Sequence, residues 1–136
     1  MNVVVGFGSM LTGQRMVRAV LEIDGARLLG VGKSVESLLR IANETGADLV
    51  VLEKGVCGGM EIEAIMKLKR LPQRPIVLFV TTCMHELYRT RCFEAGADYV
   101  LRIADERVDF HTLIEGLLRS IAASQFEEYN LARVSL

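Results

Sequence analysis

Ala47-Asp48-Leu49-Val50-Val51-Leu52-Glu53 is the stretch on which the fold turns. Its four central residues are all apolar, with no polar alternation, and such a run suits a strand buried on both faces of a sheet. Similar runs recur on either side: Val3-Val4-Val5, Leu28-Leu29-Gly30-Val31, Ile76-Val77-Leu78-Phe79-Val80 and Tyr99-Val100-Leu101. Between them the apolar residues change to helical spacing, at Met16, Val17, Val20, Leu21 and at Val35, Leu38, Leu39, Ala42. The pattern returns at Ile62, Ile65, Met66, Leu68 and at Leu113, Ile114, Leu117, Leu118, Ile121. Ser34 is placed to cap the second helix, Glu36 lies in its first turn, and the segment stops near Gly46. Pro72 closes the third helix and Pro75 opens the fourth strand.

Five strands alternating with five helices read as α/β, a doubly wound parallel sheet. In such sheets the functional loops lie beyond the carboxyl ends of the strands, near the point where strand order reverses. The candidate positions are therefore Gly6 to Ser9, Lys33, Glu53 to Gly59, Thr81 to His85 and Arg102 to Asp105.

Composition excludes several classes. A chain of 136 residues suits one domain. Sixteen Lys and Arg against seventeen Asp and Glu leave a formal charge of −1, without the broad basic surface that nucleic acid attracts. No apolar run approaches the roughly 20 residues of a membrane span. Met1 to Val5 runs straight into Gly6-Phe7-Gly8 without a basic leader, so a cytoplasmic location is expected. Cys57, Cys83 and Cys92 are too few and too irregular for a disulfide scaffold and read as reduced thiols; the six methionines are assigned to the core.

The stretch from Ala47 to Glu53, then Pro75 to Thr81, then Phe93-Glu94-Ala95-Gly96-Ala97-Asp98-Tyr99, resembles the receiver domain of bacterial response regulators. The resemblance spans roughly residues 2 to 124, leaving 125 to 136 as a tail or helix extension. It implies a flavodoxin-like fold with strand order 2-1-3-4-5 and a place in phosphorelay signalling. Receiver domains accept a phosphoryl group from a histidine kinase on an aspartate at the end of the third strand, and here that position holds Glu53. The acidic pair that helps to hold Mg²⁺ after the first strand falls on Gly6 and Phe7. The phosphate-contacting lysine falls on Ile103, beside Arg102. Only the hydroxyl at the end of the fourth strand is kept, as Thr81.

Phosphoryl transfer rests on positioning and charge neutralisation, so losing the metal ligands and the cation removes most of what drives it. No catalysis, no metal and no cofactor are expected, Mg²⁺ included. A glutamate carries its carboxylate one methylene farther out than an aspartate. Glu53 therefore either imitates the charged state permanently or is a plain carboxylate paired with Lys54, Arg102 or solvent. A weak phosphoacceptor, on Glu53 or a neighbouring hydroxyl, is a third reading.

Other constellations compete. Gly6-Phe7-Gly8 after a strand is how dinucleotide folds begin a phosphate cradle, which makes a small nucleotide- or ligand-binding regulatory module the alternative. The third glycine of that fingerprint would fall on Leu11, however, with Gly13 two places late, and a tight turn explains the glycines equally. Cys57 and Cys83 share the functional edge and with His85 could form a redox pair or metal cluster, against buried thiols and an ordinary loop. His111 reads as a surface residue.

The overall expectation is a stand-alone, atypical receiver that works through protein contacts. In the receiver family the output face is commonly the fourth helix, fifth strand and fifth helix. Here that face would carry Tyr88, Tyr99 and Arg102, residue types favoured at interfaces. Its partner would be a histidine kinase or a downstream effector, with a homodimer as a further expectation.

Overall fold

The computed structural model describes residues 1–83, 85–102, 112 and 115–124. The strands are β1 (Asn2–Gly6), β2 (Arg27–Gly32), β3 (Leu49–Glu53), β4 (Ile76–Thr81) and β5 (Tyr99–Arg102). Between them run α1 (Met10–Leu21), α2 (Val35–Thr45), α3 (Glu61–Lys69) and α4 (Glu86–Ala95), with a 3-10 turn at Lys54–Cys57. Residues 115–124 are helical and form the described part of α5. Leu113 and Ile114, expected in that helix, and the tail from 125 to 136 lie outside the described residues.

All the strands pair in parallel, in the order β2-β1-β3-β4-β5. This is the flavodoxin-like, doubly wound arrangement. The unbroken apolar runs are explained by burial on both faces. Val3, Val5, Leu49, Val51, Leu78 and Val80 face one layer, where Met16 and Val20 of α1 meet Leu118 and Ile121 of α5. Their alternates Val4, Val50, Leu52, Val77 and Phe79 face Leu38 of α2 and Ile65 and Leu68 of α3.

One tripeptide is used twice to enter the sheet. Gly46-Ala47-Asp48 ends α2 and starts β3, and Gly96-Ala97-Asp98 ends α4 and starts β5. Both glycines close their helices in the left-handed region, at φ 62° and 118°, where a side chain would be strained. Each alanine is buried and donates its amide back to the helix, Ala47 to Ala42 and Ala97 to Cys92. Each aspartate then clamps the strand beside the one it opens: Asp48 Oδ2 accepts from Asn2 N of β1 at 2.7 Å and Asp98 Oδ2 from Val77 N of β4 at 2.8 Å. Lys69 Nζ adds 2.9 Å to Asp98 and 2.8 Å to the Pro75 carbonyl.

The helix ends follow the sequence signals. Ser34 caps α2 reciprocally with Ser37, and Glu36 lies in the first turn. The assignment of the methionines to the core needs correction. Met10 is 56% exposed, Met60 51% and Met66 37%. Met10 and Met60 stand at helix N-termini on the rim of the sheet, and Met66 is one residue, about a third of a turn, past the buried Ile65. Leu21 leaves the buried stripe for the same reason, one step past Val20. Among the described residues no helix is long and apolar enough to cross a membrane.

Asp98→Ala removes the acceptor of the Val77 amide as well as the Lys69 pair. The pair is solvent-exposed and contributes little, so the part-buried amide sets the cost. The expected loss is about 1–3 kcal/mol, read as a lower urea midpoint with an unchanged slope.

Candidate functional site at the carboxyl edge of the sheet

Glu53 ends β3 opposite Val80 of β4 and is only 8% exposed. Its carboxylate turns across the sheet toward the loop between β1 and α1. Oε1 accepts hydrogen bonds from the amides of both Gly8 and Ser9, each at 2.5 Å. Ser9 is the N-cap of α1, and that helix has no acid in its own first turn. Glu53 therefore supplies, from another strand, the negative charge that a helix N-terminus favours. The expected partners Lys54 and Arg102 are not the ones it uses. Hydrogen bonds from backbone amides replace an ion pair.

The surrounding residues are shaped to this seat. A β-carbon on Gly8 would stand 2.7 Å from the Gly55 carbonyl oxygen, and one on Gly55 would stand 2.6 Å from Glu53 Oε1. Phe7, which the resemblance puts at an acidic-pair position, is buried in the core. Its ring lies so close to α1 that a β-carbon on Gly13 would fall 2.2 Å from it. Gly13 thus serves packing, and Gly6, with Leu38 2.8 Å from where its β-carbon would be, does the same. The amides that a nucleotide phosphate would need are committed to Glu53.

Thr81 ends β4 nearly buried, and its Oγ1 accepts from Cys83 N at 3.0 Å. Ile103 falls outside the described residues. Three residues expected as exposed interface anchors are placed differently. Tyr88 is half-buried, its ring 6.3 Å from that of Phe79 and 5.1 Å beneath Lys54 Nζ; burial also pushes its hydroxyl pKa upward. Tyr99 is half-buried against the core. Arg102, half-buried at the end of β5, donates to Glu86 of α4 at 2.7 Å. An aromatic or cationic side chain beside an apolar sheet edge finds partners within the fold. The exposed apolar residues of α4 are Leu87 and Phe93.

The thiols do not form a reactive set. Burial, then Glu61 and Glu53 nearby, push the Cys57 thiol up to about 12 from 9.0. Burial likewise raises that of Cys92. His85 is the N-cap of α4, with Nδ1 accepting from Leu87 N at 3.3 Å, and His111 lies outside the described residues. Among the described residues no three His, Cys, Asp or Glu side chains converge to hold a metal, so Cys57, Cys83 and His85 are not brought together. Nor do the residues at the acidic-pair positions fit Mg²⁺. That ion asks for hard oxygen ligands, whereas Gly6 has no side chain and Phe7 turns its ring inward.

Sequence reasoning passed over Glu61. As the first residue of α3, it precedes the apolar stripe beginning at Ile62 and looks like an ordinary first-turn acid. It is instead only 8% exposed, and with Glu53, Lys54 and Thr81 it lines a cleft of about 390 Å³. The available signal was its position eight residues after Glu53, where the edge loop enters α3.

Comparison with known proteins places this geometry. The response regulator GacA of Pseudomonas viridiflava is 33% identical over 82 residues, and that of Pseudomonas aeruginosa 30%. The match covers 60% of this chain and 38% of theirs, so the aligned part is well under half of the curated relatives' length. No protein-family model matches. Among solved structures, the response regulatory domain of mrkE from Klebsiella pneumoniae superposes with a TM-score of 0.78 at 12% identity, covering 93% of this chain and 99% of that one. The signal receiver domain of the putative response regulator NarL from Mycobacterium tuberculosis gives 0.76 at 18%, covering 90% and 95%. In sheet order, in overall fold and in local sequence this chain is therefore similar to response-regulator receiver domains.

The Cys57 environment predicts a pH dependence. A thiol raised from 9.0 to about 12 keeps its proton in the fold where the unfolded chain has lost it. The stability it contributes is complete below pH 9 and falls as pH rises toward about 12. Urea midpoints measured from pH 8 to 11 should fall more steeply for the natural chain than for Cys57→Ala.

Proposed function

We propose that this receiver signals by binding a protein partner, with Glu53 in a fixed charged state and without Mg²⁺-dependent phosphorylation of an aspartate. The observation that supports it is the Glu53 carboxylate seated on the Gly8 and Ser9 amides. Phosphoryl transfer needs positioned charge to neutralise the transferring group. The positions that would hold the metal carry Gly6 and Phe7, and the position of the cation carries Ile103. Glu53 holds the loops after β1 and β3 in one arrangement, as a phosphorylated residue would do only transiently. The domain is then a binding module and no enzyme. It works in the cytoplasm, with a histidine kinase or a downstream effector of a two-component system as its partner. The face formed by α4 and β5 is the surface read, by that partner or by a second copy of the chain. With a formal charge of −1, the contact is with protein and not nucleic acid.

Incubation with acetyl phosphate and Mg²⁺, followed by intact-mass spectrometry, tests the reading. An unchanged mass is expected. Addition of one phosphoryl group, mapped to Glu53, Thr81 or Thr82, would return the domain to the phosphoaccepting receivers.

A further inference from the structure

Glu61 is a largely buried side chain whose carboxylate has no partner among the described residues. It is 8% exposed, and among the described residues it accepts no hydrogen bond and joins no ion pair. The N-terminus of α3 gives it a favourable field but leaves both its oxygens free. Its oxygens meet solvent only through the cleft it lines, so a donor entering there finds a carboxylate that no group of the fold already pairs. The second carboxylate there, Glu53, spends Oε1 on the two loop amides and keeps Oε2 without a hydrogen-bond partner among the described residues, beside the same cleft. Lys54 is the cation at the rim, and its ammonium lies over the Tyr88 ring without an ion pair among the described residues.

We propose that this cleft binds a small organic cation through a guanidinium or alkylammonium group held by Glu61. About 390 Å³ is the size of a small-molecule pocket. The hydroxyls of Thr12, Thr81 and Thr82 line it as further acceptors. Two carboxylates disfavour an anion. A bare metal ion is disfavoured as well, because no three ligating side chains converge among the described residues. The guanidinium suits Glu61 best, since its fork of donors pairs both carboxylate oxygens. This site does not depend on how the receiver signals, and its occupancy is read at different residues from the Glu53 seat.

Agmatine, which carries a guanidinium and an ammonium, is the probe. The whole chain is titrated with it while amide shifts are followed by NMR, with sodium chloride, MgCl₂ and inorganic phosphate at equal concentration as separate arms. Saturating shifts at Gly58, Gly59, Glu61 and Thr82 are expected with agmatine alone, while Gly8 and Ser9 stay in place. In Glu61→Gln, which keeps the shape and removes the charge, affinity should fall about tenfold. Shifts no larger than those with sodium chloride would overturn the proposal, as would equal affinity in Glu61→Gln or saturation by Mg²⁺ or phosphate. If Glu61→Gln does not fold, Glu61→Asp takes its place with the same expectation, since the shortened side chain no longer reaches both donors.

Discussion

A carboxylate oxygen meeting two backbone amides, Glu53 Oε1 on Gly8 and Ser9, is the contact around which this edge of the sheet is arranged. It joins β3 to the entry of α1 across the point where strand order reverses. Charge-assisted hydrogen bonds of this kind contribute about 1.5–3 kcal/mol each. The local sequence follows from accommodating it. Gly8 and Gly55 lack side chains because a β-carbon on either would meet a backbone carbonyl or the carboxylate itself. Helix α1 carries no acid in its first turn because one already arrives from outside. Phe7 points into the core over Gly13, so the space next to the seat is filled with apolar packing.

Beneath this seat the sheet is held in register by the two Gly-Ala-Asp entries. Asp48 fixes the start of β1 and Asp98 the start of β4. Both clamps lie at the amino ends of the strands, opposite the site. The strands therefore leave the clamps in fixed register and deliver Glu53, Thr81 and Arg102 to the carboxyl edge at set heights. Helix α4 is tied in at that edge. Arg102 reaches Glu86 at the start of α4, and Tyr88 of the same helix sits beneath Lys54, the residue after Glu53. The seat and α4 are thus two contacts apart.

Much of the fold was legible because it rests on patterns the chain cannot hide. A run such as Leu49 to Leu52 has no face to offer water, and the helical stripes meet it from both sides. That Glu53, Phe7 and Thr81 reach one edge of the sheet was legible, because each stands at or just past the end of an apolar strand run. The direction of the Glu53 carboxylate was not. A strand-end acid can turn to a lysine, to solvent or to an amide, and only the approach of the β1–α1 loop decides. Tyr88 misled for a related reason: composition marks a tyrosine as an interface residue, whereas its environment at Phe79 and Lys54 depends on how α4 is seated. Glu61 escaped notice because first-turn acids are ordinary on exposed helices, and its burial on the cleft it shares with Glu53 and Thr81 is a tertiary feature.

The central claim is that the charge of Glu53 holds the β1–α1 loop. The most direct measurement is amide hydrogen exchange at Gly8 and Ser9 by NMR, comparing the natural chain with Glu53→Gln. Glutamine keeps the length of the side chain and removes the charge. Protection of both amides should fall about tenfold or more, as expected when a charge-assisted hydrogen bond becomes a neutral one, while exchange at Val50 and Val77 in the strands stays unchanged. Equal protection at Gly8 and Ser9 in the two proteins would contradict the account.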